Sequence, residues 1–405
     1  MKRSLFILAA VLSVTMCTES PKSIPESLRG TWNGEIDKIG LSIVVHIEDT
    51  CTMDSPDQEA FGIKAQIKDI SETSVLIKIP ELHVKIKGTL QGDSLMATFS
   101  QMGVKARLPM GRGPIVRERP QTPVPPFPYD TEELGFANGD ILLAGTLTLP
   151  ENTGTAVVLV SGSGKQDRDE TLMEHKPFAV LSDALARCGI SSLRYDDREC
   201  GGSTGVFDDA TTADFASDAA AAVRYLRGRG FSKVGLIGHS EGGSIAFMLA
   251  GAENKDDGTP DFIVSLAGMA DRGDSTIIRQ TTRMFVLQGA PEKVAGFAAK
   301  MTYKKIAGGD QKWMDYFLAL DPAPYIQRIE CPVLALNGEK DSQVIPEYNL
   351  SKIQALYPAA DCRLYPELNH LFQHCKTGLN SEYAHIEETM SEEVLGDICS
   401  WVAER

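Results

Sequence analysis

The sequence predicts an α/β chain: a mostly parallel sheet with helices on both faces and a helical lid, preceded by a small antiparallel all-β barrel or sandwich. Three observations predict it. Apolar residues alternate from Gly30 to about Leu108, prolines crowd the stretch that follows, and short apolar runs then alternate with helix-forming segments to the C-terminus. Period-two alternation marks strands with one buried face, whereas strands interleaved with helices mark a parallel sheet.

In the first part, spanning 25–115, Leu41, Ile43, Val45 and Ile47 alternate, then Ile63, Ala65 and Ile67, then Val75, Ile77 and Ile79. Leu82, Val84 and Ile86 continue the pattern, followed by Leu95, Ala97 and Phe99. Residues 116–130 read as a stiff linker, because Pro120, Pro123, Pro125, Pro126 and Pro128 fix φ and remove amide donors. The remainder, 131–405, offers seven runs as sheet strands: Leu142 to Thr148, Ala156 to Val160, Ser191 to Tyr195, Val234 to Ile237, Phe262 to Leu266, Val333 to Leu336 and Arg363 to Tyr365. An insertion at 271–329, rich in helix formers, leaves the carboxyl end of a strand, which in a doubly wound sheet puts it over the ligand crevice as a lid. Met284, Phe285, Phe297, Met301, Trp313, Tyr316 and Phe317 within it would either line an acyl pocket or pack the lid onto the body.

A chain of 405 residues exceeds one ordinary core, so two domains are expected. Its 42% hydrophobic and 23% charged content is globular. A net charge of -15 argues against a nucleic-acid partner, which would need clustered Lys and Arg to displace counterions.

Lys2 and Arg3 precede an apolar run from Leu5 to Val14, short of the roughly 20 residues that cross a bilayer, so residues 1–17 read as a secretory signal. Cys17 after Val14-Thr15-Met16 resembles a lipoprotein cleavage box except at Met16, where a small residue is usual. Export to a periplasmic, secreted or lipid-anchored location is expected, with membrane attachment by lipidation at Cys17 as one form of it. Beyond Cys17, seven cysteines form no Cys-x-x-Cys pair and no zinc spacing. Cys331 and Cys362 open neighbouring predicted strands, and a bridge between them is an expectation.

Gly238-His239-Ser240-Glu241-Gly242 directly follows the apolar run Lys233 to Ile237 and precedes a short apolar helix-forming stretch. A serine at the apex of a strand-to-helix turn, with glycine relieving the crowding on either side, is the form of an activated nucleophile. Serine needs a base and a group to orient that base. Leu334 to Leu336 runs into a Gly-x-x-Asp turn ending at Asp341, the candidate acid; Glu339 in the same turn would leave the strand too early. Arg363 to Tyr365 leads into Pro366-Glu367-Leu368-Asn369-His370, making His370 the candidate base and His374 an ordinary surface or helix residue. His239 is expected to pack beneath the turn. An oxyanion would be met by the amide of Glu241 and by one from Ser161-Gly162-Ser163-Gly164, with Ser163 the donor and Gly164 the alternative. The Glu241 side chain would complement the helix dipole and repel acidic substrates.

Together these motifs resemble the α/β-hydrolase serine esterases, in which serine, acid and histidine follow in this order. Arg194-Tyr195-Asp196-Asp197-Arg198, followed by Gly201-Gly202-Ser203, also resembles that family's Asp-x-Arg-Gly-x-Gly loop, but Glu199 and Cys200 stand where the first of those glycines would lie. The whole layout is similar to two-domain bacterial carboxylesterases with an N-terminal β-rich domain. The resemblance implies an α/β-hydrolase fold, no cofactor, and a small-molecule ester substrate cleaved through an acyl-enzyme. A peptidase of the same fold is the alternative, for which Asp274, Glu292, Asp310 and Asp315 of the lid would hold a free amine. A ligand-binding protein on an inert hydrolase scaffold is the alternative from another class.

Overall fold

The computed structural model describes residues 24–37, 40–58, 60–151, 154–309 and 311–405. Residues 1–17, expected to form a secretory signal and including Cys17, and Asp310 lie outside the described residues. The chain divides into two units, 1–118 and 119–405.

The first unit is a closed barrel of β1 (Gly30–Ile36), β2 (Leu41–Ile47), β3 (Cys51–Ser55), β4 (Ala60–Ile70), β5 (Ser74–Ile79), β6 (Val84–Gln91), β7 (Ser94–Gln101) and β8 (Val104–Arg112). Each strand pairs antiparallel with the next, and β1 closes on β8 with Gly34 opposite Met110. Closure demands glycine there, since a Cβ on Gly34 would lie 2.1 Å from the Pro109 carbonyl oxygen. Barrel rather than sandwich is therefore the outcome. The alternating residues Val45, Ile77, Ile86 and Leu108 fill the interior around Trp32, whose indole N–H donates to the Leu28 carbonyl at 2.8 Å. Strands β1, β3 and β8 escape the hydrophobic pattern because Gly30, Asn33 and Gly34 in β1, and Pro109 and Gly111 in β8, read as turn residues.

The second unit is built on an eight-stranded sheet in the order β16-β15-β14-β13-β11-β12-β10-β9. Its strands are β9 (Asp130–Asn138), β10 (Ile141–Leu149), β11 (Thr155–Val160), β12 (Ser191–Tyr195), β13 (Lys233–His239), β14 (Ile263–Leu266), β15 (Val333–Gly338) and β16 (Asp361–Tyr365). Strands β11 to β16 run parallel, while β9 and β10 form an antiparallel hairpin at one edge. β9, rich in charge, carries no apolar run and adds one strand beyond the predicted seven.

Helices cover both faces. α1 (Pro177–Arg187) and α9 (Glu392–Ala403) pack on one, through Phe178, Leu181, Val394 and Ile398. α2 (Thr212–Gly228), α3 (Glu241–Ala250) and α8 (Pro346–Leu356) pack on the other, through Ala219, Val223, Ile245 and Ile353. β11 shows why its sequence is continuously apolar: Val157 and Leu159 enter one core while Ala156, Val158 and Val160 enter the other.

Between β14 and β15 the insertion folds as α4 (Gly273–Leu287), α5 (Glu292–Ile306), α6 (Lys312–Ala319) and α7 (Ala323–Ile326). Its aromatic residues divide differently from the pocket-lining expectation. Phe317 is buried in the body's core, with Trp313 and Tyr316 packed against that core, whereas Phe297 and Met301 are 70% and 52% exposed. The apolar face of α6 is thus spent on packing, while Met284 and Phe285 of α4 are half-buried.

The expected Cys331–Cys362 bridge is absent, and both thiols are free. The register explains it. Cys362 lies opposite Ala335, four residues beyond Cys331, so at ~3.3 Å per residue the two are offset along the strands by roughly 13 Å, about twice the Cα separation a disulfide spans. Cys51, Cys188, Cys200, Cys375 and Cys399 are also free.

Candidate active site

Ser240 occupies the junction between β13 and α3 with φ 52° and ψ -114°, a left-handed conformation that costs a non-glycine residue energy and persists only when the surroundings impose it. They do so from both sides. A Cβ on Gly238 would stand 2.0 Å from the Gly242 carbonyl oxygen, and one on Gly242 would stand 2.1 Å from that of Val160. The Ser240 amide is tied to the Leu266 carbonyl of β14 at 2.8 Å. The hydroxyl is thereby presented at the carboxyl end of the sheet.

Asp341 follows β15 and is fully buried. Its Oδ1 accepts the amides of Gln343 (2.8 Å) and Val344 (2.9 Å), and its Oδ2 accepts the Asn337 side chain at 3.3 Å. Oδ2 also faces His370 Nδ1 at 2.8 Å. A carboxylate held by several fixed donors cannot rotate away from the imidazole it orients. Gly338 lets the histidine loop pass over the end of β15, since a Cβ there would meet the Leu368 carbonyl oxygen at 2.3 Å. Asn369 shapes that loop by accepting the amides of Leu371 (2.9 Å) and Gln373 (3.0 Å) on its side-chain oxygen. Buried His175, which no motif singles out, supports the same loop through Gln373 at 3.1 Å.

The rival residues fall elsewhere. His374 is exposed and paired with Glu388 at 2.9 Å. Glu339 is exposed in the turn ahead of Asp341. His239 is buried under the turn, bonded to Glu170 at 2.9 Å and to the His370 carbonyl at 3.1 Å.

Gly162 approaches Ser240 closely: a Cβ on it would lie 3.2 Å from Ser240 Cβ. This brings Ser163, the next residue, and Gly164 to the rim of the site. Glu241 opens α3, where an amide has no intrahelical acceptor. Its side chain departs from the expectation of a charge facing substrate. It is buried, with Oε1 accepting the Thr212 hydroxyl at 2.6 Å and the Trp313 indole N–H at 3.0 Å, and it also takes a bond from the Ser163 side chain. Burial raises its pKa above the ordinary carboxyl value, and these three donors hold the rise in check.

In the loop after β12, Glu199 adopts φ 58° and Gly201 φ 49°. Glu199 therefore takes up the left-handed turn that a glycine would have supplied. Arg198 is buried against Asp218 in a two-pronged pair at 2.7 and 3.0 Å, anchoring the loop to α2.

The model of the Alpha/beta hydrolase family matches residues 157–375, more than half of the chain. The chain belongs to the alpha/beta hydrolase family. A curated relative, esterase EstD of Thermotoga maritima, is 27% identical over 328 residues, covering 76% of this chain and 77% of the relative. Among solved structures, the Pyrococcus furiosus esterase Pf2001 aligns with a TM-score of 0.43 at 14% identity, covering 68% of this chain and 93% of that one. Est1E from Butyrivibrio proteoclasticus, in a structure with ferulic acid bound, gives 0.45 at 17%, covering 67% and 96%. The family match spans the strand before Gly162, the Ser240 turn, Asp341 and His370, so the alpha/beta hydrolase frame contains every candidate catalytic side chain.

Proposed function

We propose that this protein is a serine hydrolase that cleaves carboxylic esters through an acyl-enzyme. The observation that carries the reading is the buried 2.8 Å bond from His370 Nδ1–H to Asp341, which fixes the tautomer that leaves Nε2 without a proton and able to act as a base. Ser240 attacks the ester carbonyl as His370 takes its hydroxyl proton. The tetrahedral oxyanion is met by the amides of Ser163 and Glu241, and collapse expels the alcohol, protonated by His370. Water then repeats the sequence on the acyl-Ser240 ester and releases the acid. Similarity to esterase EstD supports an ester as substrate.

Of the acidic lid residues the peptidase alternative would use, Asp274 is paired with Arg272 at 2.9 Å, while Glu292 and Asp315 are exposed. Purified protein is expected to hydrolyse nitrophenyl acyl esters, with turnover lost in Ser240→Ala at unchanged folding. Cleavage of aminoacyl amides alone would replace the ester reading by the peptidase one. Full activity in Ser240→Ala would remove the serine mechanism.

A further inference from the structure

Glu170 and His239 lie outside the three reacting side chains, yet both are buried at 6% exposure. Glu170 Oε1 accepts the Gly162 amide at 2.6 Å and faces His239 Nδ1 at 2.9 Å. On its other side, His239 Nε2 meets the backbone carbonyl of His370 at 3.1 Å. A carbonyl oxygen only accepts, so Nε2 carries hydrogen. An imidazolium form of His239 would place its second proton, on Nδ1, toward Glu170 Oε1. Burial of the ring opposes this charge, but the Glu170 carboxylate, the His370 carbonyl and the nearby Asp341 outweigh burial and leave its pKa above the ordinary histidine value.

The pair touches both the Gly162 loop and the His370 loop that flank Ser240. A Cβ on Gly162 would lie 3.0 Å from Glu170 Oε1, 3.2 Å from Ser240 Cβ and 3.5 Å from His239 Nδ1. The His239 and His370 rings stand 4.8 Å apart. Glu170 is aimed inward from a turn in which it adopts φ 52°, and Asp167 holds that turn by accepting the Asp169 and Thr171 amides, each at 3.0 Å. A left-handed glutamate on a braced turn is strain maintained for placement.

We propose that Glu170 and His239 are a positioning ion pair that sets the oxyanion loop at Gly162 and the base loop at His370 in fixed relation around Ser240. This rests on the serine-hydrolase reading. Neither residue touches substrate; the pair acts through the loops it joins. Losing it loosens both the oxyanion donors and the base at once, which lowers kcat while leaving the substrate pocket, and hence KM, in place.

The test has two readouts on the full chain. In Glu170→Gln the amide oxygen still accepts one bond, but the imidazolium loses its counter-charge. The kcat per site titrated by a fluorophosphonate is expected to fall by about 10- to 100-fold with KM within about twofold, and Glu170→Asp, which keeps the charge, is expected to retain more activity than Glu170→Gln. Unchanged kcat per titrated site in Glu170→Gln would overturn the proposal. Independently of turnover, 15N-histidine spectra of the wild type and of Ser240→Ala are expected to show both His239 ring nitrogens predominantly protonated at about pH 6.5, where an ordinary histidine is half neutral. A neutral His239 ring at that pH would overturn the proposal even where Glu170→Gln fails to fold. Full turnover in Ser240→Ala would instead count against the serine mechanism, leaving the spectra to decide the ion pair.

Discussion

Trp313 of the insertion donates its indole N–H to the buried carboxylate of Glu241, the residue that follows Ser240, at 3.0 Å. The same carboxylate takes the Thr212 hydroxyl of α2 and the Ser163 side chain of the oxyanion loop. One side chain thus fastens α6 to both segments whose amides are assigned to the oxyanion. Trp313→Phe keeps the ring and removes the donor, and a hydrogen bond to a charged group is worth ~1.5–3 kcal/mol. The lid is expected to open more readily, raising KM by about 5-fold or more with a smaller change in kcat. Steady-state kinetics on a series of nitrophenyl acyl esters measures it; an unchanged KM across the series would mean that the bond does not hold the lid.

Glu241 also makes stability depend on pH in an unusual direction. Its folded pKa is raised, chiefly by burial, above the 4.5 of an ordinary glutamate. The folded state therefore binds this proton more tightly than the unfolded state does, so the group's contribution is largest at low pH. That contribution is lost as pH rises from the ordinary value through the raised one. Glu241→Gln, which cannot ionise, is expected to gain stability relative to wild type as pH increases across this window. The difference between their urea midpoints, followed from pH 4 to 7, reads it, and a difference independent of pH would contradict the assignment.

Asp341→Asn should leave the fold intact and remove the acceptor that fixes the His370 tautomer. Activity is expected to fall by about 10⁴-fold, the scale of tautomer loss in such triads. Circular dichroism establishes the fold and kcat the loss; a drop of less than tenfold would assign the orienting role elsewhere.

In the barrel, Gly34→Ala places a methyl group 2.1 Å from the Pro109 carbonyl oxygen at the β1–β8 closure. The strands have to part there, and a loss of about 2–3 kcal/mol is expected, within the range of severe backbone and overpacking defects. Chemical denaturation followed by tryptophan fluorescence, to which Trp32 contributes from the barrel interior, measures it.

The candidate catalytic side chains were legible because each is announced by its neighbours in sequence: Ser240 by flanking glycines after an apolar strand, Asp341 by the Gly-x-x-Asp turn, His370 by the loop after β16. The groups that support them were not. Glu170 sits 70 residues before Ser240 on a loop with no periodicity, and only the folded chain brings its carboxylate 2.9 Å from His239. The place of the Glu241 amide follows from the turn it closes, yet nothing local reveals that Thr212 and Trp313 enclose its carboxylate. Likewise β8 hides behind Pro109 and Gly111, because its place in the barrel comes from closure with β1 and not from an apolar run. Local chemistry writes itself into neighbouring letters, whereas long-range bonds leave no such trace.

The barrel's closure also bears on what the chain does in a crowded solution. β1 and β8 pair with each other over Trp32–Gly34 and Met110–Arg112, which withholds this part of both strands from intermolecular strand addition as long as they hold each other. The sheet of the second unit does have borders, and they are guarded otherwise: β9 carries Asp130, Glu132 and Glu133, and β16 is only five residues long with Asp361 and Arg363. Charge and brevity discourage further strands from joining there. Separation of β1 from β8 would free the backbone groups paired there for strand addition by another molecule.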